Sequence, residues 1–167
     1  MSTRLYWADG PWPGKLALAA RPRGGDWLED EIAAWRKAGI HTVLSLLTPE
    51  EEQELDLNNE AREVKQKGMR FLSLPIPDRE VPCAESQVRT AVENVDADLS
   101  SGANVVIHCR QGIGRSGLVA ACLLITKGLS SGAAIDTLSA ARGVEIPETS
   151  EQRHWIDHYA ATLTGAK

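Results

Sequence analysis

One stretch of this 167-residue chain gathers groups suited to chemistry on an anion: Cys109-Arg-Gln-Gly-Ile-Gly-Arg-Ser116. A cysteine and an arginine stand six residues apart, with glycines at 112 and 114 between them and a serine directly after. Glycine tolerates left-handed backbone angles, which turn successive amide hydrogens inward into an anion-binding nest. The backbone N–H groups of Arg110, Gln111, Gly112, Ile113, Gly114 and Arg115 are therefore candidates to hold a phosphate. The nest should run into the N-terminus of the next helix, whose free amides and dipole also favour negative charge. Such donors are expected to lower the Cys109 thiol from about 8.5 toward the range of roughly 3.5 to 7.5 seen in activated cysteines. Cys109 would then be a nucleophile without a dedicated base. Arg115 supplies a planar fork that grips two phosphate oxygens at once. Ser116 can donate to the sulfur when it must leave again as thiolate. His108 is read as structural, steadying the loop through its ring nitrogens.

Two other patterns overlap this stretch. Gly112-Ile-Gly-Arg-Ser-Gly117 matches the G-x-G-x-x-G of dinucleotide-binding folds, but that reading needs a second strand ending in an acid about 20 residues on. The chain continues instead as Gly128-Leu-Ser-Ser-Gly-Ala-Ala-Ile-Asp136 and then more helix. A nucleotide phosphate loop of the Walker type is excluded because arginine stands where lysine is required. Cys122 reads as core packing, and Cys83 as uncommitted.

The elements that must position these groups follow from apolar spacing. Leu5–Trp7 and Leu16–Ala19 read as short strands around a Gly/Pro turn. Asp26 is placed to cap a helix with Leu28, Ile32 and Trp35 on one face, closing at Gly39. Residues 42–47 suit a buried strand, and Pro49 with three acids opens a helix whose glutamates are read as a solvated first turn. A helix over 58–67, a strand over 70–74, a proline-rich loop to Pro82 and a helix over 85–99 come next. Residues 104–108 form the strand that delivers Cys109. Residues 118–127, apolar nearly all round, read as a buried helix, and two further helices finish the chain. Strands alternating with helices predict an α/β fold, a central largely parallel sheet of about five strands flanked by helices, in a single domain over 1–167. In such sheets ligands bind beyond the carboxyl ends of the strands, where Cys109 falls.

Composition narrows the function classes. A net charge of −5 and a pI near 5.4 argue against a grip on nucleic acid or anionic lipid. The longest apolar run, 118–125, is far below the roughly 20 residues a membrane span needs. Residues 1–9 lack the apolar stretch of an export signal. Three cysteines are an odd, sparse set unlike a disulfide framework, which favours a reducing cytoplasm.

His108-Cys-x-x-Gly-x-Gly-Arg-Ser-Gly117 resembles the signature loop of the protein tyrosine phosphatases. With Val43-Leu-Ser-Leu-Leu47, Pro75-Ile-Pro-Asp78 and the stretch from Ala140-Ala-Arg-Gly-Val144 to Gln152, the chain looks most like the compact dual-specificity group and its kinase-associated phosphatase branch. The resemblance implies a two-step reaction without metal or other cofactor. Cys109 attacks phosphorus to form a phosphocysteine, an acid protonates the leaving oxygen, and water releases phosphate. It implies Asp78 as that acid, on a loop upstream of the cysteine. Gln152 resembles the glutamine with which some phosphatases place the hydrolytic water. Thr149-Ser-Glu-Gln152 also reads as a capping box, and the two readings stand level. The implied substrate is a phosphorylated protein or peptide bearing phosphotyrosine and, with no phosphotyrosine-stacking loop in evidence, phosphoserine or phosphothreonine as well. The oligomeric state has no sequence signal. The rival readings are a sulfurtransferase or arsenate reductase with a similar cysteine loop, and a phosphoprotein-binding module without turnover.

Overall fold

The computed structural model describes residues 3–165. Its strands are β1 (Tyr6–Ala8), β2 (Leu16–Ala19), β3 (Thr42–Ser45), β4 (Arg70–Ser73) and β5 (Val105–His108). Its helices are α1 (Leu28–Lys37), α2 (Pro49–Glu54), α3 (Glu60–Gln66), α4 (Glu85–Ser100), α5 (Gly114–Thr126), α6 (Ser131–Arg142) and α7 (Ser150–Gly165). The sheet order is β1-β2-β5-β3-β4, with β1 antiparallel to β2 and every other pairing parallel. This is the α/β architecture that the spacing of apolar residues predicts.

β5 is central because both its faces are buried, which is why Val105-Val-Ile107 is an unbroken apolar run. Side chains alternate across the sheet. Leu16, Leu18, Leu44, Val105 and Ile107 face a core built with α4, α5, α6 and α7. Ala17, Ala19, Val43 and Val106 face a second core with Leu28, Ile32 and Trp35 of α1 and Val64 of α3. Each large apolar side chain so enclosed contributes about 1.5 to 3 kcal/mol. α5 packs on α4, α6 and α7, and every residue from Gly114 to Ile125 is buried, as an all-apolar helix demands.

Two local expectations need correction. Asp26 does not cap α1: it lies inside a 3₁₀ turn, Gly25–Trp27, whose continuation makes Trp27 the residue preceding the helix, with no side-chain cap. α5 begins at Gly114, not Leu118, so Arg115 and Ser116 sit in a helical first turn directly continuous with the anion loop. The polar residues there conceal the helix start from a reading by apolar spacing. Among the described residues no helix is long and apolar enough to cross a membrane.

Candidate active site

β2, β5 and β3 end level with one another, Ala19 and Ser45 both in register with His108. The chain leaves β5 at the carboxyl edge of the sheet and turns at once through residues 109–113 into α5. Gly112 makes that turn possible, with φ +75°, and a β-carbon there would stand 2.5 Å from the Ala19 carbonyl. Its N–H donates to Cys109 Sγ at 3.2 Å. The Arg21 N–H donates to the Arg110 carbonyl at 3.3 Å, tying the β2 exit loop to the turn. Cys109 itself is buried, 3% exposed, with the N-terminus of α5 beginning five residues on.

Arg115 is buried at 1% exposure and its hydrogens are largely assigned. Nη1 donates to Glu51 Oε1 at 2.6 Å and to the Ile76 carbonyl at 2.7 Å. Nη2 donates to Glu51 Oε2 at 3.0 Å and to Asp78 Oδ1 at 3.0 Å. Its Nε–H has no hydrogen-bond partner among the described residues. The fork is thus clamped on one side by a bidentate carboxylate, which leaves Nε and, once Asp78 gives up its contact, the outer hydrogen of Nη2 for a ligand. Arg110 adds a second cation to Glu51, at 3.2 Å, and reaches Glu54 at 3.1 Å. Burial alone would raise the Glu51 carboxyl, but hydrogen bonds from Arg115, the Thr48 N–H and Arg110 hold it at about 2. The same pair works on Arg115, where burial opposes the charge and Glu51, Cys109 and Asp78 keep it above the ordinary arginine value.

Glu51 is the residue that the sequence reading misplaced: it is buried, not part of a solvated turn. Its position has a local cause. Thr48 Oγ1 accepts from the Glu51 N–H at 3.2 Å, and Glu51 Oε1 accepts from the Thr48 N–H at 3.1 Å, so a capping box fixes the glutamate before Arg115 reaches it. Thr48-Pro-Glu-Glu51 carried that signal. Arg142 also touches the loop: its Nη2 donates to the Gln111 carbonyl at 3.1 Å while its guanidinium lies over the Tyr6 ring.

Asp78 stands on the loop after β4, with its carboxylate on Arg115 and its side chain 47% exposed. The next residue, Arg79, adopts φ +63° and pairs with Glu148 at 2.8 Å. Gln152 closes the same seam. Its Oε1 accepts from the Glu148 and Thr149 N–H groups, and its Nε2 donates to the Glu80 carbonyl at 3.2 Å. Thr149 Oγ1 accepts from the Gln152 N–H at 3.1 Å, so the capping box forms. Gln152 is fully buried, and its amide is engaged with backbone on three sides, where a water-placing role would need it released. A β-carbon at Gly114 would meet Gln152 Oε1 and Glu148 Oε1 at 2.9 Å, so this seam lies directly against the start of α5.

Ser116 is buried and its Oγ has no hydrogen-bond partner among the described residues. The bond to the Cys109 sulfur that the sequence reading assigned to it is not made in this arrangement. His108 is also wholly buried, with Nε2 at 2.6 Å from Glu60 Oε2 and Nδ1 at 3.4 Å from the Cys109 carbonyl. Cys122 lies in the core, where burial pushes its thiol up, and Cys83 is exposed. Among the described residues no group of three or more histidines, cysteines or acids could hold a metal ion.

Comparison with known proteins adds three findings. A family model described as "polymorphic toxin system, DSP-PTPase phosphatase" matches residues 17–129. Cyclin-dependent kinase inhibitor 3 of Rattus norvegicus is 31% identical over 138 residues, 81% of this chain and 65% of the relative. The chain therefore spans just under two thirds of that relative's length. Among solved structures, kinase associated phosphatase (KAP), crystallised with serine in place of its catalytic cysteine, superposes with a TM-score of 0.89 at 23% identity, over 98% of this chain and 97% of that one. Tk-PTP in its active form gives a TM-score of 0.76 at 25% identity, over 93% and 95%.

Proposed function

The chain belongs to the dual-specificity (DSP-PTPase) family of cysteine-dependent phosphatases, and from that premise we propose that it hydrolyses phosphotyrosine, and phosphoserine or phosphothreonine, in proteins. The observation that carries the reading is the buried Arg115 fork, clamped by Glu51 with its other edge held by the partly exposed Asp78, on the same loop as a cysteine whose sulfur accepts an amide hydrogen.

The Cys109 thiolate attacks phosphorus while the backbone amides of Arg110 to Arg115 and the free edge of Arg115 bind the equatorial oxygens. The sulfur–phosphorus bond forms as the phosphorus–oxygen bond to the side chain breaks, and Asp78 passes its proton to the departing oxygen. Asp78 is partly exposed and its carboxylate rests on Arg115. An arriving phosphate competes for that contact and pushes the carboxyl toward the leaving group. In the second step a water attacks phosphorus, Asp78 takes back a proton, and the sulfur leaves as thiolate. The unpartnered hydroxyl of Ser116 supplies a hydrogen for that sulfur, which accounts for a buried donor left unsatisfied at rest. Gln152 holds the Asp78 loop against the start of α5, and a water-placing part for it would require that seam to open.

The substrate class rests on the family and on the similarity to cyclin-dependent kinase inhibitor 3. Cytoplasmic action is our reading from the cysteine usage. A sulfurtransferase or a non-hydrolytic binding module lacks a use for a loop aspartate bonded to the arginine fork. The purified chain should release p-nitrophenol from p-nitrophenyl phosphate in the presence of a chelator, and Cys109→Ser should abolish release while keeping phosphate affinity. Sulfur transfer to cyanide without phosphatase activity, or phosphopeptide binding without hydrolysis, would replace this reading.

A further inference from the structure

Beneath the 109–113 turn lies a buried pair that the reaction above does not use. His108 closes β5 and Glu60 opens α3; both are wholly buried, and they meet at 2.6 Å. The other ring nitrogen, Nδ1, faces the Cys109 carbonyl at 3.4 Å. Trp35 of α1 lies against the ring, its centroid 5.8 Å away at 44°. Glu60 Oε1 has no partner. Glu52 of α2 lies within reach of this pair: burial and the Glu60 carboxylate hold it above the ordinary glutamate value while His108 works the other way.

A carbonyl oxygen can only accept, so the Nδ1 contact is a hydrogen bond only when Nδ1 carries hydrogen. A neutral imidazole has one hydrogen to give. If Nδ1 holds it, Nε2 must meet a hydrogen from Glu60; if the ring is doubly protonated, Nε2 donates to the carboxylate instead. In both of these states one hydrogen lies between Nε2 and Oε2 and another points from Nδ1 at the Cys109 carbonyl, whereas hydrogen on Nε2 alone would turn a bare nitrogen toward that oxygen, lone pair against lone pair. The 2.6 Å separation fits a charge-assisted bond of this kind.

We infer that Glu60 is a positioning residue: by sharing a hydrogen with Nε2 it keeps Nδ1 protonated, and so pins the carbonyl of the nucleophile's own residue. The peptide leaving Cys109 is then fixed by the ring while the Gly112 N–H holds the sulfur. The inference deepens the phosphatase reading only in what the turn is for, since the state of the ring is read without turnover.

Glu60→Gln and Glu60→Leu separate the possible roles. A glutamine amide can donate to Nε2 and preserve the Nδ1 hydrogen, whereas leucine fills the space and donates nothing. Where a histidine itself moves the proton, the wrong tautomer costs about 10⁴ in rate. Here the ring acts at one remove, so Glu60→Leu is expected to lower kcat on p-nitrophenyl phosphate about tenfold with KM little changed, and Glu60→Gln to stay within about twofold of wild type. Ring ¹⁵N spectra of His108, assigned through its backbone, should show a protonated Nδ1 in wild type and in Glu60→Gln, lost in Glu60→Leu. The inference is overturned by a wild-type spectrum with hydrogen on Nε2 alone, or by a Glu60→Leu enzyme that keeps both its kcat and its Nδ1 hydrogen. The wild-type spectrum decides the matter even where a variant fails to fold. An inactive protein with the wild-type ring state as expected would overturn the phosphatase reading instead.

Discussion

Glu51→Gln tests how far Arg115 depends on its clamp. Breaking a buried ion pair from one side typically costs about 3 to 5 kcal/mol, because the remaining charge stays buried without its partner. Here two backbone carbonyls and Asp78 still hold the guanidinium, so a loss of about 10² in kcat/KM is expected, measured on p-nitrophenyl phosphate. The same carboxylate gives stability a pH dependence of definite sign. Its value falls from 4.5 unfolded to about 2 folded, so its contribution, on the order of 3 kcal/mol, is complete above the unfolded value and lost as pH drops toward the folded one. Denaturant midpoints between pH 5 and 2 should therefore fall more steeply for wild type than for Glu51→Gln. Asp78→Asn should slow alkyl phosphates more than aryl phosphates, since phenols depart without a proton; equal losses would remove Asp78 from the acid's role. Cys109 and Arg115 were legible as candidates from type and spacing, and Asp78 from the family resemblance alone. Glu51 and Arg142 were not, because their partners lie 64 and 31 residues away, and a run of three glutamates does not say which of them turns inward.

At the scale of elements, the site depends on β5 ending level with β2 and β3 and on α5 starting at once. Gly112→Ala requires both a left-handed angle and an approach of 2.5 Å to the Ala19 carbonyl, so the turn cannot keep its shape. Activity should drop by more than 10² while far-UV circular dichroism stays near wild type, because the helices and sheet form without the turn. Thr48→Ala removes the cap that presets Glu51 and should cost about 1 kcal/mol of stability, read as a lower denaturant midpoint. Among the described residues the five strands and seven α-helices were foreseen as elements, since buried parallel strands and one-faced helices announce themselves in apolar spacing. Their ends were less visible. α5 starts four residues before its apolar run because Gly114 to Gly117 are small or polar yet buried by Glu148, Gln152 and Ile146, contacts that no local pattern encodes.

For the molecule as a whole, the sheet carries two cores, and the larger, built with α4 to α7, encloses the helix whose first turn holds Arg115 and Ser116. The family match covers residues 17–129, which includes Glu51, Glu60, Asp78 and the cysteine loop. It stops short of Arg142 and Gln152, which brace that loop from the C-terminal third. A phosphopeptide panel should show turnover of phosphotyrosine and of phosphothreonine within about 10²-fold of each other, since the sequence carries no segment resembling the phosphotyrosine-stacking loop of the tyrosine-specific enzymes. The most direct test of the whole account is to stop the reaction with acid during turnover of a phosphopeptide and locate covalent phosphate by mass spectrometry. The account requires an acid-trapped phosphate on Cys109 that accumulates when Asp78 is replaced by alanine with an aryl phosphate as substrate. Hydrolysis that continues with no adduct at residue 109, or that survives Cys109→Ser, would contradict it.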